Sequence, residues 1–309
     1  MMDLSSGMNK PQDLFCFETP ASILVFNLNM WITLMVINIL ISITATSGNM
    51  LVRLTIWRSP HLHSPSNTLL FGLALSDLCV GLVSEPVNVG FQAVLFKNSG
   101  KITSCTLRNA RTLISVFLTA VLVTLLTLTA MSVDRYLAIY LHLRYEQVVT
   151  EEKTRNVILC VWLISGVPLV IVVFDAMTSY LVMTFTIAIC LVIISFAWIK
   201  IYQVVRNHQV QIQDQIAVAT QAFNMARFRN SAINTLLMLI IVLLCYTPFL
   251  VSKIFLTVNL KRSNVVFLEI TYIFVLLNSS LNPFVYFWRQ RDLRARARQL
   301  VRRFCCQRQ

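Results

Sequence analysis

Apolar residues fill long stretches of this chain, and charged residues stand mainly at the edges of those stretches. Six stretches contain no Asp, Glu, Lys or Arg: 19–52, 112–133, 156–174, 176–199, 230–252 and 270–288. A seventh, 59–96, is interrupted only by Asp77 and Glu85. A helix needs about 20 apolar residues to cross a bilayer. The pattern therefore predicts seven transmembrane helices and leaves little chain for any soluble domain.

The predicted fold is an all-α membrane protein, a seven-transmembrane helix bundle with a short amphipathic eighth helix. We expect one membrane domain across 1–309, with an outer N-terminal segment over about 1–22. The surface helix is expected at about 290–304. The seven spans are expected at about 23–57, 65–95, 107–140, 153–174, 176–207, 223–258 and 264–288.

Composition and charge place the chain in a membrane with its N-terminus outside. Hydrophobic residues make up 57% of the chain and charged ones 13%, whereas soluble domains carry about a quarter charged residues. The net charge is +13, and the basic residues flank the spans. Most face the cytoplasm when the N-terminus lies outside, as the positive-inside rule requires. Nucleic-acid binding is a poor explanation of this charge. Lys10 and Asp13 stand where a cleavable signal peptide would need an apolar region.

The C-terminal segment combines a basic surface with one apolar face. Residues 293, 297, 300, 301 and 304 are apolar at helical spacing, which is typical of a helix lying along a membrane surface. Cys305 and Cys306 follow directly and are candidates for acylation. The alternative is a disordered basic tail with unmodified thiols.

Several polar residues stand inside the apolar stretches, where they are costly unless they face the bundle interior or water. Asp77 lies in the middle of the second span, and Asp134, Arg135 and Tyr136 close the third. Asn282 and Pro283 interrupt the seventh, and Pro283 frees a backbone carbonyl that polar neighbours or water must satisfy. These residues are functional candidates.

The chain carries an ordered set of motifs: GNMLV in the first span, LALSD in the second, DRYLAI ending the third, Trp162 in the fourth, CYTP in the sixth and NSSLNPFVY in the seventh. This set resembles the signature of rhodopsin-like (class A) G-protein-coupled receptors and covers nearly the whole chain. The resemblance implies a plasma-membrane receptor that converts binding of an extracellular small molecule or peptide into nucleotide exchange on a heterotrimeric G protein. Nothing indicates an enzyme.

The same resemblance implies roles for individual residues. Arg135 would contact the G-protein α-subunit, and Asp134 would restrain it at rest. Tyr286 would swing inward on activation, and Leu143 would insert into the G protein. The remaining members of this coupling and switch set are Tyr136, Asn282 and Pro283.

A sodium site is also implied by the resemblance, and no other cofactor is expected. The matching positions are Asp77, Thr124, Asn278, Ser279 and Asn282. Oxygen ligands with one carboxylate suit a small hard cation. The alternative is a water-filled polar cluster.

The departures from the family pattern are informative. Ala110 replaces the usual disulfide cysteine of the third span, Tyr246 replaces the toggle tryptophan, and Cys190 replaces the proline of the fifth span. These features, with a minimal second outer loop, resemble the melanocortin, lysophospholipid and cannabinoid branch. The acidic calcium-binding residues of melanocortin receptors do not carry over, because Ala110 and Ile114 stand there.

A different disulfide is predicted by elimination. Only Cys16 and Cys105 lie on the oxidising outer side, so we expect them to pair. Two free thiols are the alternative, because the N-terminal segment must approach within bonding distance.

The outer half of the bundle is the expected ligand site, an aromatic cavity with a few polar groups. Phe117 replaces the aspartate of amine receptors and Leu276 the retinal lysine of opsins, so neither of those ligand modes applies. Lys253 could meet an anionic ligand or extend to the surface. The predicted lining is Glu85, Phe117, Val121, Tyr246, Phe249, Lys253 and Tyr272.

Two other functions remain open at the level of sequence. A receptor that signals constitutively or serves as a dimerisation partner is one, because Phe228 stands where an acidic partner for Arg135 is usual. A transporter or channel is the other, although the chain shows no internal repeat.

Overall fold

The structure is a computed structural model, and it describes residues 18–19, 28–62, 64–97, 102–141, 144–213, 240–255 and 262–306. The spanning helices are α1 (Leu28–Trp57), α2 (Pro65–Cys79) continuing into α3 (Glu85–Lys97), α4 (Ser104–Leu141), α6 (Glu151–Phe174), α7 (Ala176–Gln213), α8 (Ile240–Phe255) and α9 (Arg262–Arg289). The shorter elements are a 3₁₀ turn (Pro60–Leu62), α5 (Tyr145–Val148) and α10 (Arg291–Cys306). Two short strands, β1 (Glu18–Thr19) and β2 (Ile102–Thr103), pair antiparallel.

Six of these helical segments are long and apolar enough to cross a membrane, and α8 is a shorter apolar helix over its described part. Their outward residues are strongly apolar: Phe174 is 85% exposed, Val173 75% and Leu163 74%. Many polar side chains are buried instead, including Asn49, Asp77 and Asn278. Apolar outside and polar inside is the distribution a bilayer imposes, since hydrocarbon cannot hydrogen-bond. The predicted all-α seven-helix bundle is confirmed.

The core lies around α4, which contacts α2, α6 and α7 along its length. Leu122, Leu125 and Leu128 recur at intervals of three residues and are buried in one cluster with α2 and α7 residues. That spacing keeps all three on one helix face. The central helix therefore holds Thr124 and Asp134 at fixed heights in the bundle.

Glycines permit close approaches of α1 to its neighbours. A Cβ at Gly48 would lie 2.9 Å from Cβ and Cγ of Pro283 on α9. A Cβ at Gly81 would lie 2.6 Å from Oγ1 of Thr46 and 3.1 Å from the carbonyl oxygen of Ser42. Ser42 Oγ also donates to the Gly81 carbonyl at 2.7 Å. Small residues at helix interfaces are the usual means of close packing in membranes.

A π-helical turn, Val80–Ser84, joins α2 to α3. The backbone N–H of Glu85 donates to the carbonyl of Val80, five residues earlier. Pro86 follows directly, and a proline ring clashes with the carbonyl four residues before it. The wider turn accommodates this clash with one extra residue, which rotates everything after it by about a quarter turn. Glu85 thereby faces the interior with 0% exposure.

The outer link between α6 and α7 is one residue, Asp175. Its carboxylate accepts hydrogen bonds from the backbone N–H groups of Met177 and Thr178 at 3.0 and 3.1 Å, and from the Thr178 hydroxyl. These bonds, the Thr178 hydroxyl foremost, lower the pKa of Asp175. Asp175 therefore caps the start of α7 as a carboxylate.

The last helix, α10, packs against α1 and α9. Leu293, Ala297 and Leu300 are buried along one face. The arginines at positions 291, 296, 298, 302 and 303 are exposed. This arrangement suits a helix that lies along the membrane surface with its charges toward water.

Candidate functional site

The middle of the bundle holds a buried carboxylate, Asp77, with three side chains on it. Thr124 Oγ1 donates to one carboxylate oxygen at 3.1 Å, and Asn282 Nδ2 donates to the other at 2.8 Å. Ser279 also hydrogen-bonds to Asp77. Asn49 lies alongside, donating to the backbone carbonyl of Ser279 at 3.0 Å. Four of the five residues predicted for sodium thus meet in one place.

The fifth predicted member, Asn278, is fully buried, and neither its amide nitrogen nor its amide oxygen has a hydrogen-bond partner in the described part of the chain. The buried hydroxyls of Tyr246 and Tyr286 are also unpartnered there, and both feel the charge of Asp77. Buried polar atoms without partners cost free energy unless an ion or water satisfies them. The donor set of carboxylate, hydroxyl and amide oxygens fits a small hard cation.

The end of the bundle that is predicted to face the cytoplasm, called the cytoplasmic end below, is organised around Asp134. One carboxylate oxygen accepts from the Ser66 hydroxyl of α2 at 2.8 Å, and the other accepts from the Tyr145 hydroxyl of α5 at 2.5 Å. Burial and, next, the bond to Asp134 raise the pKa of Tyr145 to about 12, so this hydroxyl stays a donor at physiological pH. Asp134 thus ties α4 to α2 and to the second inner loop, where the family resemblance had implied a restraint on Arg135.

Arg135 is partly buried and lies in electrostatic range of Tyr286 and Arg289 on α9. Its neighbour Tyr136 stacks on Tyr140, with ring centroids 5.6 Å apart. Tyr286 is 1% exposed and interacts electrostatically with both Asp77 and Arg135. Pro283 is buried against Gly48. Leu143, the residue predicted to enter a G protein, lies outside the described residues.

The half of the bundle that is predicted to face outward, called the outer half below, contains the aromatic group predicted to line a ligand cavity. Phe249 and Tyr272 contact each other with ring centroids 5.8 Å apart. Lys253 is buried, and its Nζ lies 3.6 Å from the ring centroid of Tyr180 and 5.3 Å from that of Phe249. Lys253 therefore points inward onto aromatic faces, a cation–π arrangement, rather than to the surface.

Other predicted lining residues are placed as follows. Val121 is buried on α4, and Tyr246 is fully buried on α8 at the lower end of the group. Phe117 belongs to α4, but its side chain lies outside the described part. Glu85 is buried on α3, and neither oxygen of its carboxylate has a hydrogen-bond partner among the described residues.

The cysteines predicted to react are mostly beyond what the structure describes. Cys16 lies outside it, and Cys105 is in the first turn of α4 with its side chain undescribed. Cys305 and Cys306 end α10, again without described side chains. The described free thiols belong to the spans: Cys79, Cys160, Cys190 and Cys245.

Four contact residues were missed by the sequence reasoning: Ser66, Tyr145, Tyr180 and Glu269. Ser66 and Tyr145 bind Asp134, and Tyr180 lies under Lys253. Glu269 hydrogen-bonds to Gln92 in the outer half. Glu269 carried a usable signal, because it is an acidic residue directly before the apolar stretch 270–288. The others are common residue types with nothing in the sequence to single them out.

Comparison with known proteins supports one family. Residues 48–181 match the family described as 7 transmembrane receptor (rhodopsin family). Melanocortin receptor 4 of Danio rerio is 25% identical over 272 residues, which cover 84% of this chain and 79% of that protein. Melanocortin receptor 5 of Mus musculus is 25% identical over 278 residues, covering 84% and 80%. Melanocortin receptor 5 of Rattus norvegicus is 23% identical over 274 residues, covering 84% and 80%.

Proposed function

We infer that ligand binding and G-protein coupling take place at opposite ends of the bundle. The premise is that this chain is a rhodopsin-like (class A) G-protein-coupled receptor of the plasma membrane. The outer half, around Phe249, Lys253 and Tyr272, binds the ligand. The cytoplasmic end, around Asp134 and Arg135, acts on the G protein. The N-terminus lies outside the cell in this arrangement. An epitope tag placed before residue 18 and detected on intact cells tests that orientation.

The observation that carries this proposal is the position of Tyr286. This buried side chain interacts electrostatically with both the Asp77 carboxylate and the Arg135 guanidinium. Tyr246, on α8, also feels Asp77 and sits below the aromatic group of the outer half. A chain of interacting polar groups thus runs from under the ligand region to the cytoplasmic arginine. Such a chain is a route by which a rearrangement at one end can bias the other.

Arg135 is the residue whose loss tests coupling most directly. Its guanidinium lies at the cytoplasmic end, beside Asp134, whose two carboxylate oxygens accept hydrogen bonds from the hydroxyls of Ser66 and Tyr145. We expect Arg135→Ala to reach the cell surface and to lose at least tenfold in nucleotide exchange on a heterotrimeric G protein. The measurement is exchange with purified receptor in lipid nanodiscs, with empty nanodiscs as background.

Arg155→Ala is the matched control, because Arg155 is an exposed arginine near the start of α6 and outside the segment that holds Leu143 and Tyr145. It should retain exchange at the wild-type level. Unchanged exchange by Arg135→Ala at matched surface expression would contradict the proposed coupling. Exchange by the wild type without any added ligand would favour the constitutive form of the receptor.

We propose further that a sodium ion binds at Asp77. The ion would be held by the Asp77 carboxylate with the hydroxyls of Thr124 and Ser279, and the unpartnered amide oxygen of Asn278 is available to it. Bound there, the cation neutralises a buried carboxylate and holds α2, α4 and α9 together. It can shift the resting equilibrium only by its differential affinity for the two states.

The sodium proposal is tested by replacing sodium with N-methyl-D-glucamine at fixed ionic strength. We expect sodium to lower basal exchange by the wild type, and Asp77→Asn to remove that dependence. Ser47→Ala is a control, since Ser47 is exposed on α1 and bonds only to its own helix. Equal sodium dependence in wild type and Asp77→Asn would leave a water cluster as the content of the site.

Acylation of Cys305 and Cys306 would anchor the end of α10 at the membrane surface. The buried face of α10 against α1 and α9 supports it, because that packing holds the chain end beside the bilayer. Hydroxylamine-sensitive incorporation of a palmitate analogue, lost in the double serine variant, is the expected result.

A further inference from the structure

One face of α3 carries polar side chains toward the interior of the outer half. Glu85, Asn88 and Gln92 recur at intervals of three and four residues, so they share a helix face. The π turn that precedes Glu85 rotates this face inward. Glu85 and Gln92 are buried. The feature therefore arises from a backbone irregularity that turns a polar stripe into the bundle.

Side chains from two other helices complete the cluster. Gln92 Oε1 accepts from Asn38 Nδ2 of α1 at 3.3 Å, and Gln92 also bonds to Glu269 of α9. Tyr272 of α9 feels the charges of both Glu85 and Glu269. The charges of both carboxylates thus act on one tyrosine, in a cluster with residues of α1, α3 and α9.

The cluster has more acceptors than the described protein satisfies. Both carboxylate oxygens of Glu85 and the amide oxygen of Asn38 are buried and have no hydrogen-bond partner among the described residues. Against these three acceptors, the one unpartnered donor in the cluster is Asn88 Nδ2. Unpartnered buried carboxylates are costly, and they persist where a ligand uses them. A group with several N–H donors and a positive charge is the chemical complement.

We propose that Glu85 and Glu269 bind the ammonium or guanidinium group of the receptor's ligand. This inference rests on the proposed function, since it assigns the ligand class of the same outer site. The cation would lie between α1, α3 and α9, beside the Tyr272 ring. Amine receptors hold their cation from the third span, where this chain has Phe117. The buried Lys253, whose Nζ lies 5.3 Å from the Phe249 ring centroid, disfavours a second cationic group beside it and suits a neutral or anionic end of the ligand.

The test uses thermal unfolding of the purified receptor in nanodiscs, which needs no G protein and no known ligand. The probes are ethylammonium, 2-phenylethylammonium and agmatine, with 2-phenylethanol as the neutral analogue. N-acetyl-arginine methylamide represents a basic side chain of a peptide. Comparing its effect with that of the free amines distinguishes a peptide ligand from a free amine ligand. A ligand that binds only the folded state raises the melting temperature. We expect at least one cation to do so and the neutral analogue not to.

Two variants and a control assign the effect to the cluster. Glu85→Gln should raise the melting temperature of the unliganded receptor, because it removes an unpaired buried carboxylate. It should also increase, at least tenfold, the cation concentration that is needed to raise the melting temperature. Glu269→Gln should also weaken cation protection and covers the case in which Glu85→Gln fails to fold. Glu152→Gln makes the same change at an exposed position and should behave as wild type.

Two results would overturn the proposal. One is equal or absent protection of the wild type by the cations and the neutral analogue. The other is cation protection that survives both Glu85→Gln and Glu269→Gln. Nucleotide exchange measured on the same preparations keeps the two proposals apart: intact exchange without cation protection refutes the ligand class alone, and protection without exchange refutes the coupling function alone.

Discussion

Adding one methyl group at Gly81 should loosen the contact between α1 and the π turn that joins α2 to α3. The added Cβ would lie 2.6 Å from Thr46 Oγ1, 3.0 Å from the Thr46 backbone nitrogen and 3.1 Å from the Ser42 carbonyl oxygen. The hydroxyl can rotate away, but the two backbone atoms move only if the helices separate. Overpacking of this kind costs about 1–3 kcal/mol.

The comparison with two other glycines sets the expected size. A Cβ at Gly90 or Gly166 meets nothing within 4 Å, so alanine there should be neutral or stabilising, by up to about 1 kcal/mol from helix propensity. We therefore expect the free energy of unfolding of Gly81→Ala to be about 1–4 kcal/mol lower than that of either control. Asp77 and Glu85 stand one turn before and after Gly81, so separation of the helices displaces both.

Thermal unfolding of the three variants in nanodiscs measures the difference, with sodium dependence as a second readout. Adding Thr46→Ala to Gly81→Ala should recover part of the loss, because it removes the hydroxyl but leaves the backbone contacts. A Gly81→Ala protein as stable as Gly90→Ala and Gly166→Ala would refute the reasoning.

Three other predictions concern single contacts. Tyr145→Phe should weaken the link of the inner loop to Asp134 by about 1 kcal/mol, after allowing for the partial exposure of the tyrosine; faster proteolysis of that loop is the measurement, and an unchanged rate would count against the bond. Cys16 and Cys105 should form a disulfide, and their alkylation without prior reduction would refute it. Because its pKa is lowered, Asp175 should stabilise α7 above the ordinary carboxyl pKa and lose that contribution as pH falls through its folded pKa. Asp175→Asn should abolish this acid dependence of unfolding, whereas an unchanged pH profile would contradict the capping role.

The disulfide gains support from the strand pair. Glu18 pairs with Thr103 and Thr19 with Ile102. Glu18 follows Cys16 by two residues, and Thr103 precedes Cys105 by two residues, so the strand pair joins the segments next to the two cysteines.

The helices could be predicted because each requires a long apolar run, and such runs are visible in the sequence. The grouping around Asp77 was implied by family resemblance, and the structure brings Thr124, Ser279 and Asn282 onto that carboxylate. The regular repeat of a helix fixes which of its side chains share a face. Once the helices pack, residues on facing sides of different helices are therefore brought together. The binding of a sodium ion by these residues stays a prediction.

The π turn could not be predicted from the sequence. Pro86 signals a backbone defect, but a kink, a break and a wider turn all satisfy the same missing donor. The choice depends on the packing of Gly81 against α1, which is a tertiary contact. The inward direction of Glu85 follows from that choice. In a regular helix, this carboxylate would point about a quarter turn away from the inward direction that it has here.

The partners of Asp134 were also beyond sequence reasoning. The neighbouring Arg135 was the implied partner by resemblance, but the oxygens accept from Ser66 and Tyr145. Both are single hydroxyls in turns at helix ends, and only the packed bundle brings them to α4.

Because a single residue joins α6 to α7, the fifth span is held at one end and can tilt around that end. With only Asp175 between Phe174 and Ala176, the joined helix ends can never lie more than about 7 Å apart. The Ser179 hydroxyl fastens the same corner by donating to the Pro168 carbonyl at 2.7 Å. The helix α7 has 38 residues and is therefore about 57 Å long. A tilt of about 5° around that fixed corner would carry its cytoplasmic end about 5 Å, so a small push near the corner becomes a large displacement where a G protein would dock.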